Sequence, residues 1–387
     1  MVNEISPSLA YHYWFICING EITGTDIPLH GEIPTGGAVL VRGTDFDPNK
    51  AIGKEDDKGH TGTSTTKMST YRSEATSEPQ YKDRLRYKEG WEDILYLLTG
   101  SDDGTNAHAI DKTTVDTGVY KYVFSKNPLH PLEDAFATLH NGFGKTEDDA
   151  YLYLNALLNT FNLSGGNKDA PTYEAKFVSD FPHFHEDTIS RTIPAKTIFP
   201  KSNNVRIFIA PQGVYDGIDA GTGVTNPIGA YEFSCYEDWS VEVNKNVEGK
   251  PCANDEFGTS TKVTGEEEGN FKITLPWNSK TKDLEYEFMG GDANATLVTD
   301  EDIHKTVWIV MKSGAIGETE YNYQTIFKIN DLVLTNVNSP QSGEDAKTLD
   351  VEVDIVSNVT LSFVEAEVIT DLEDLHIYNT PSQSSSP

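Results

Sequence analysis

The residues best placed by type and spacing to do chemistry are His183 and His185 in FPHFHED (181–187). On an extended strand an H-x-H pair puts both imidazoles on one face, where Glu186 or Asp187 could add an oxygen ligand for a metal. No further cluster of cysteine and histidine supports such a site, so the pair reads first as two ordinary loop histidines. Asp102 and Asp103 in SDDGTN, and Asp216 and Asp219 in YDGIDAGTG, resemble fragments of calcium loops. Neither completes the regular acidic spacing with a terminal bidentate glutamate. The chain has no G-x-S-x-G elbow, no H-E-x-x-H and no Walker-type lysine loop. GEIPTGGAV (31–39) lacks the strand-then-helix setting that a phosphate cradle needs. No acid, base and nucleophile can be grouped by type and spacing, so the expectation is no enzymatic activity, no cofactor and no bound metal.

Charge is patterned instead of clustered. Asp350, Glu352 and Asp354 alternate with Val351, Val353 and Ile355 in LDVEVDIV (349–356). Glu285 and Glu287 do the same in LEYEF (284–288), as do Glu365 and Glu367 in FVEAEV (363–368). A sheet with an apolar back and a carboxylate front is the commonest solvated-face pattern. Like charges crowded on neighbouring strands nevertheless cost several tenths of a kcal/mol per pair. Lys82, Arg84, Arg86 and Lys88 in YKDRLRYKEG alternate in the opposite sign. They read as a solvated edge strand whose charges discourage unwanted pairing, or as a positive face for an acidic neighbour.

The elements that must carry these residues are mostly strands. VYKYVF (119–124), YEAKFVSDF (173–181), VRIFIA (205–210), WSVEV (239–243), FKITL (271–275), TVWIVM (306–311), YQTIFKI (323–329), LDVEVDIV and VTLSFVEAEV (359–368) each show period two or a short apolar run between turn residues. VSN (356–358) reads as the turn of a terminal hairpin. Helices are few. GWEDILYLLTG (90–100) spaces Trp91, Ile94, Leu95 and Leu98 on one face, with acids in the first turn and Gly100 as a stop. HPLEDAFATLHNG (130–142) has the same design, and EDDAYLYLNALLNTF (147–161) offers a third helix whose end could equally open a strand. The predicted fold class is mainly β, an antiparallel sandwich or barrel with two or three short helices.

The expected organisation is an N-terminal half (1–200) with a long loop at 50–84, and a C-terminal sandwich half (201–372) with a long loop at 246–270. A flexible tail follows (373–387). NTFNLSGGNKDAPTYEAKFVSDFP (159–182) and the segment from Asp238 to Trp277 echo each other as strand, polar interruption and strand, which a duplication or shared hairpin grammar would explain.

Bulk composition narrows the partners. The 387 residues include 61 acidic and 30 basic side chains, a net charge of −31. So acidic a chain should repel phosphate instead of gripping it. Solubility or a salty environment would also account for the charge. Nothing approaches the ~20 consecutive apolar residues of a membrane span. The start MVNEISPSLAYHYWFICING carries no basic n-region, and Cys17, Cys235 and Cys252 read as reduced thiols, although Cys235 and Cys252 could pair.

The order DWSVEVNKNVEGKPCANDEFGTSTKVTGEEEGNFKITLPW (238–277), followed by further strands and the segment 349–368, resembles the major tail tube proteins of long-tailed phages. So does YKEGWEDILYLLTG (87–100) followed by LLNTFNLSGGNKDAPTYEAKFVSDFP (157–182). The likeness lies in element order and loop placement and spans most of residues 80–370. It implies a sandwich whose subunits join edge to edge into rings, stacked as a tube with long inter-subunit loops. Six chains per ring are implied, or three if the halves are duplicated. The bore would face Asp350, Glu352 and Asp354, with Glu285 and Glu287 behind them. The loop with Glu256, Phe257, Glu266, Glu267 and Glu268 would reach between rings and order on contact. The implied partners are further copies of the chain, tape-measure and terminator proteins, and DNA that passes without specific binding. The implied location is the virion tail, after synthesis in the host cytoplasm. Two other readings remain at this point. One is another virion component, such as a baseplate or capsid decoration protein. The other is a carbohydrate- or calcium-binding sandwich using Asp216, Asp219 and exposed aromatics such as Trp91 or Trp239.

Overall fold

The computed structural model describes residues 12–19, 38–41, 45–47, 50–57, 69–100, 110–125, 135–143, 149–180, 183–185, 191–192, 196–211, 231–233, 235–250, 261–263, 265–278, 281–282, 304–338, 348–356 and 364–378. Over these residues the chain is mostly antiparallel β-sheet with a single α-helix. The first strands are β1 (His12–Asn19), β2 (Ala38–Val41), β3 (Asp45–Asp47), β4 (Lys50–Asp57), β5 (Ser69–Ser77) and β6 (Gln80–Arg84). The helix α1 (Trp91–Thr99) follows, then β7 (Asp111–Asp116), β8 (Val119–Ser125), β9 (Ala137–Phe143), β10 (Asp149–Gly166), β11 (Thr172–Val178), β12 (His183–His185) and β13 (Arg191–Thr192). Next come β14 (Val205–Pro211), β15 (Tyr231–Phe233), β16 (Asp238–Asn244), β17 (Glu248–Lys250), β18 (Thr261–Val263) and β19 (Glu268–Pro276). The last are β20 (His304–Ala315), β21 (Asn322–Asn338), β22 (Thr348–Ile355), β23 (Val364–Thr370) and β24 (Ile377–Tyr378).

The larger sheet runs β3–β6–β11–β10–β16–β19–β22–β21–β20–β14–β15, antiparallel throughout. The smaller runs β13–β2–β1–β9–β10–β12, with β24 parallel on β1. β10 joins these two ladders and β21 carries a third branch, so the sheet branches instead of closing on itself. The first half of β10 pairs with β9 and β12, and the second half with β11 and β16. The change of partner coincides with a register shift between Tyr153 and Ala156. There Asn155 takes a positive φ of 49°, and its Nδ2 donates to Asp180 Oδ2 at 2.6 Å. On β21, Gln324–Ile329 pairs with β23, which continues through β8 to β7, while Leu332–Asn338 pairs with β22.

This branching corrects the expected terminal hairpin. β22 and β23 do not pair with each other; they follow one another along the same edge of β21. Other expectations change as well. The helix expected at 130–142 is strand β9 from Ala137 onward, and the one expected at 147–161 is β10. The long loop expected at 50–84 contains β4 and β5, paired as a hairpin, and β6. The loop at 246–270 contains the β17–β18 hairpin. β6 is not an edge strand, because β3 and β11 flank it. Residues 373–378 are docked: Leu375 is buried and β24 pairs with β1.

The main core cluster takes side chains from Ile16 to Leu375 and from both halves of the chain, and Leu157, Val178 and Val247 form a small separate one. All nine residues of α1 are buried, which is unusual for an amphipathic helix and follows from its position among strands. Trp91 packs on Phe161 of β10 and Tyr173 of β11, with ring centroids 6.2 and 5.3 Å apart, and Tyr96 packs edge-on to Phe124 of β8. Full burial of aromatic rings of this size supplies a large share of the apolar driving force. The two segments that echo each other in sequence form the β10–β11 and β16–β19 hairpins, which lie side by side through the β10–β16 ladder.

Candidate functional site: an acid-bearing sheet face

β22 places the acids as the alternation predicts. Leu349, Val351, Val353 and Ile355 are buried, Asp350 and Glu352 are half-buried, and Asp354 is exposed on the opposite face. Neighbouring strands extend that face. Asp238 and Glu242 on β16 and Glu268 on β19 are exposed beside buried Trp239, Val241 and Phe271.

The registers show why this crowding is tolerable. Opposite Asp350, Glu352 and Asp354 on β19 stand Thr274, Lys272 and Asn270. On β21 the partners are Asn338, Asn336 and Val333. No carboxylate of β22 faces another directly, so the repulsion between adjacent strands expected from sequence is largely avoided. Lys272 Nζ lies 2.7 Å from Glu352 Oε1, and that hydrogen bond holds the lysine ammonium above its ordinary pKa. Both side chains are about half exposed, so the pair contributes only ~0.2–1 kcal/mol. The positive side chains predicted to alternate lie at the far end of the same sheet, where Lys82 and Arg84 are exposed on β6 and Lys176 of β11 pairs with Glu78 at 3.0 Å. At that end the charges are mixed, since Lys82 stands between Glu174 of β11 and Asp45 of β3 in register. Glu365 and Glu367 on β23 are individually compensated, by Lys328 at 3.3 Å and Lys121 at 2.8 Å.

Glu266 and Glu267 precede β19 and, with Glu268, Glu242, Asp354 and Val356, line a groove of about 570 Å³. Asn246 holds this corner: its Nδ2 donates to the Glu266 carbonyl at 2.7 Å, and the Gly265 N–H donates to the Asn246 carbonyl at 3.1 Å. Glu256 and Phe257 lie outside the described residues, as do Glu285 and Glu287.

A second concentration of charge is one that reading the sequence missed. Asp83, Glu89, Glu92 and Asp93 are all buried around the start of α1. Arg86 forms a bidentate ion pair with Asp83, its contact to Oδ2 measuring 2.6 Å. Glu92 Oε2 accepts the Lys88 N–H at 3.0 Å. The N–H of His376 donates to Asp93 Oδ1 at 2.8 Å, and its Nδ1 lies 2.9 Å from Oδ2. At the other end of the helix, buried Lys245 donates to the Leu97 carbonyl at 2.9 Å. Acids at the N-terminus and a cation at the C-terminus complement the helix dipole inside the core. Burial pushes the Glu92 carboxyl up to about 7 against the hydrogen bonds it accepts. Burial also raises Asp83 to about 7, with Arg86 pulling the other way. For His376, burial opposes the charge, but Asp93 outweighs it and the imidazole is raised above its ordinary pKa. The one signal in the sequence was the density of acids next to Trp91, which amphipathic reading assigns to a solvated first turn.

The remaining candidates divide as follows. β12 does place His183 and His185 on a strand, opposite Leu152 and Ala150 of β10. Asp102, Asp103, Asp216, Asp219, Cys252, Glu186 and Asp187 lie outside the described residues. Cys235 is exposed and unpaired. Trp91 and Trp239, expected as exposed aromatics for a sugar, are buried. No group of three or more potential metal ligands occurs among the described residues, and none of their helices is long and apolar enough to cross a membrane. Neither comparison with protein-family models nor comparison with curated proteins returns a match for this chain.

Proposed function

We propose that this chain is the repeating subunit of a hollow tube of the kind built by the major tail tube proteins of long-tailed phages, serving as a conduit for DNA. The observation that carries the reading is the division of β22, with three carboxylates on one face and four buried apolar side chains on the other. Asp238, Glu242 and Glu268 widen the acidic face across two more strands. A wall of that sign minimises the phosphate contacts that would otherwise hold DNA, and its influence reaches about 8 Å at physiological ionic strength. Assembly needs unpaired edges. β3, β7 and β15 each pair on one side only among the described strands. β7 is also exposed along most of its length, which suits a strand completed by a neighbouring subunit.

Negative-stain microscopy of concentrated protein tests the reading. Rings or hollow rods are the expected result; particles of monomer size at every concentration would refute it.

A further inference from the structure

Besides the acidic groove, the molecule has a second concavity of opposite sign. It measures about 630 Å³, and its lining includes Lys88, Lys196, Lys201, Phe199, Tyr323 and Asp371. Lys88 is paired with Asp371 at 3.0 Å, which leaves Lys196 and Lys201, both exposed, without an ion pair among the described residues. Phe199 is the one large hydrophobic side chain exposed among the described residues. It is held in place: the Tyr87 N–H donates to the Ile198 carbonyl at 2.9 Å, and Ser313 Oγ donates to the Phe199 carbonyl at 2.8 Å. A fixed, exposed aromatic beside two uncompensated lysines is the anatomy of a protein contact, an apolar anchor with a charged rim.

The position of this cavity says what fits it. Tyr323 lies near the start of β21, and Leu332, nine residues further along, pairs with Ile355, next to Asp354 of the acidic groove. At roughly 3.3 Å per residue the two concavities are about 30 Å apart along β21, one near its start and the other beside its second half. The groove carries five carboxylates and no cation in its lining, and half-buried Val356 adds an apolar contact point. Each concavity therefore presents what the other lacks.

We infer that the basic cavity around Phe199 docks the Glu266–Glu268 rim of a second copy of this chain, head to tail. The contact is heterologous: the same two surfaces recur at every step, so it propagates along an axis instead of closing as a dimer. It rests on the tube reading only in taking that axis as the direction in which rings stack. Phe199 would meet Val356, and Lys196 and Lys201 would meet Glu266 and Glu268.

Sedimentation velocity and negative-stain microscopy of the full chain, at low and high salt, test this with three variants. Lys196→Glu with Lys201→Glu should weaken self-association by at least about tenfold, and so should Glu266→Lys with Glu268→Lys. Combining all four substitutions should restore association, because the charges are then exchanged across the same contact. The four residues are exposed, and an unchanged melting temperature confirms that each variant is folded. Rods unaffected by either reversal would overturn the contact while leaving the tube reading standing. Failure of the combined variant to recover would overturn the pairing of these residues. Reversal-sensitive oligomers that never form hollow rods would keep the contact and remove the tube. A wild-type chain that stays monomeric at low salt would overturn the contact outright.

Discussion

The indole N–H of Trp91 donates to Thr325 Oγ1 at 3.0 Å, and that hydroxyl donates onward to Tyr87 Oη at 3.2 Å. Tyr87 in turn donates to the Met311 carbonyl at 3.1 Å. All three side chains are buried, so this relay ties the enclosed helix to β20 and β21 with each donor satisfied. Thr325→Val keeps the shape but strands the indole N–H. We predict a loss of about 1–3 kcal/mol in chemical denaturation. Trp91→Ala should cost more, about 3–5 kcal/mol, because it also empties the space against Phe161 and Tyr173.

Gly165 of β10 sits against the ring of Trp239 so closely that an added Cβ would lie 2.9 Å from Cζ2. Trp239 is itself buried and cannot swing away cheaply. Gly165→Ala should therefore destabilise by about 1–3 kcal/mol through overpacking. Gly314→Ala, where nothing lies within 4 Å of the added atom, is the control and should be near neutral in the same melting assay.

The fold was legible where one face of a strand meets water. β16, β19 and β22 alternate buried and solvent-facing residues, and their sequences read directly as strands. β10 did not read that way, because Leu152 through Leu158 are all buried. A strand enclosed on both faces loses its polar alternation, and the apolar run then fits a helix equally well. The misplaced terminal hairpin has a different cause: sequence shows that β22 and β23 are strands, but not that β21 is long enough to take both on one edge. The acids of β22 were found by their period. The Lys272–Glu352 pair was not, since register between distant strands leaves no mark in a single sequence.

Stability should fall as pH rises from mildly acidic to mildly basic. The folded pKa of Glu92 is about 7, well above the ~4.3 of an unfolded glutamate. Its favourable contribution is therefore complete below about pH 4 and is lost as pH rises through 7. Glu92→Gln removes that loss. Denaturation at pH 5 and pH 8 should show a smaller decline for the variant, the difference being at most about 3 kcal/mol. Asp83 and His376 titrate in the same sense, so the variant retains part of the slope from those two sources.

Replacing Asp350, Glu352 and Asp354 together by lysine should leave the fold intact, because none of the three side chains is buried and their apolar neighbours are unchanged. The expected change in stability is within about 1 kcal/mol. Under the proposed tube function, particles carrying this variant should assemble but release their genome poorly, since a cationic wall gains salt-dependent contacts with phosphate. Genome release equal to the wild type would remove β22 from the bore.

An atomic reconstruction of the polymer by electron cryomicroscopy measures the central claim directly. The expected result for the proposed tube is stacked rings in which Asp350, Glu352 and Asp354 face a continuous axial channel. Rods with those three carboxylates on the outer surface, or a chain that remains a separate particle at every concentration, would contradict it.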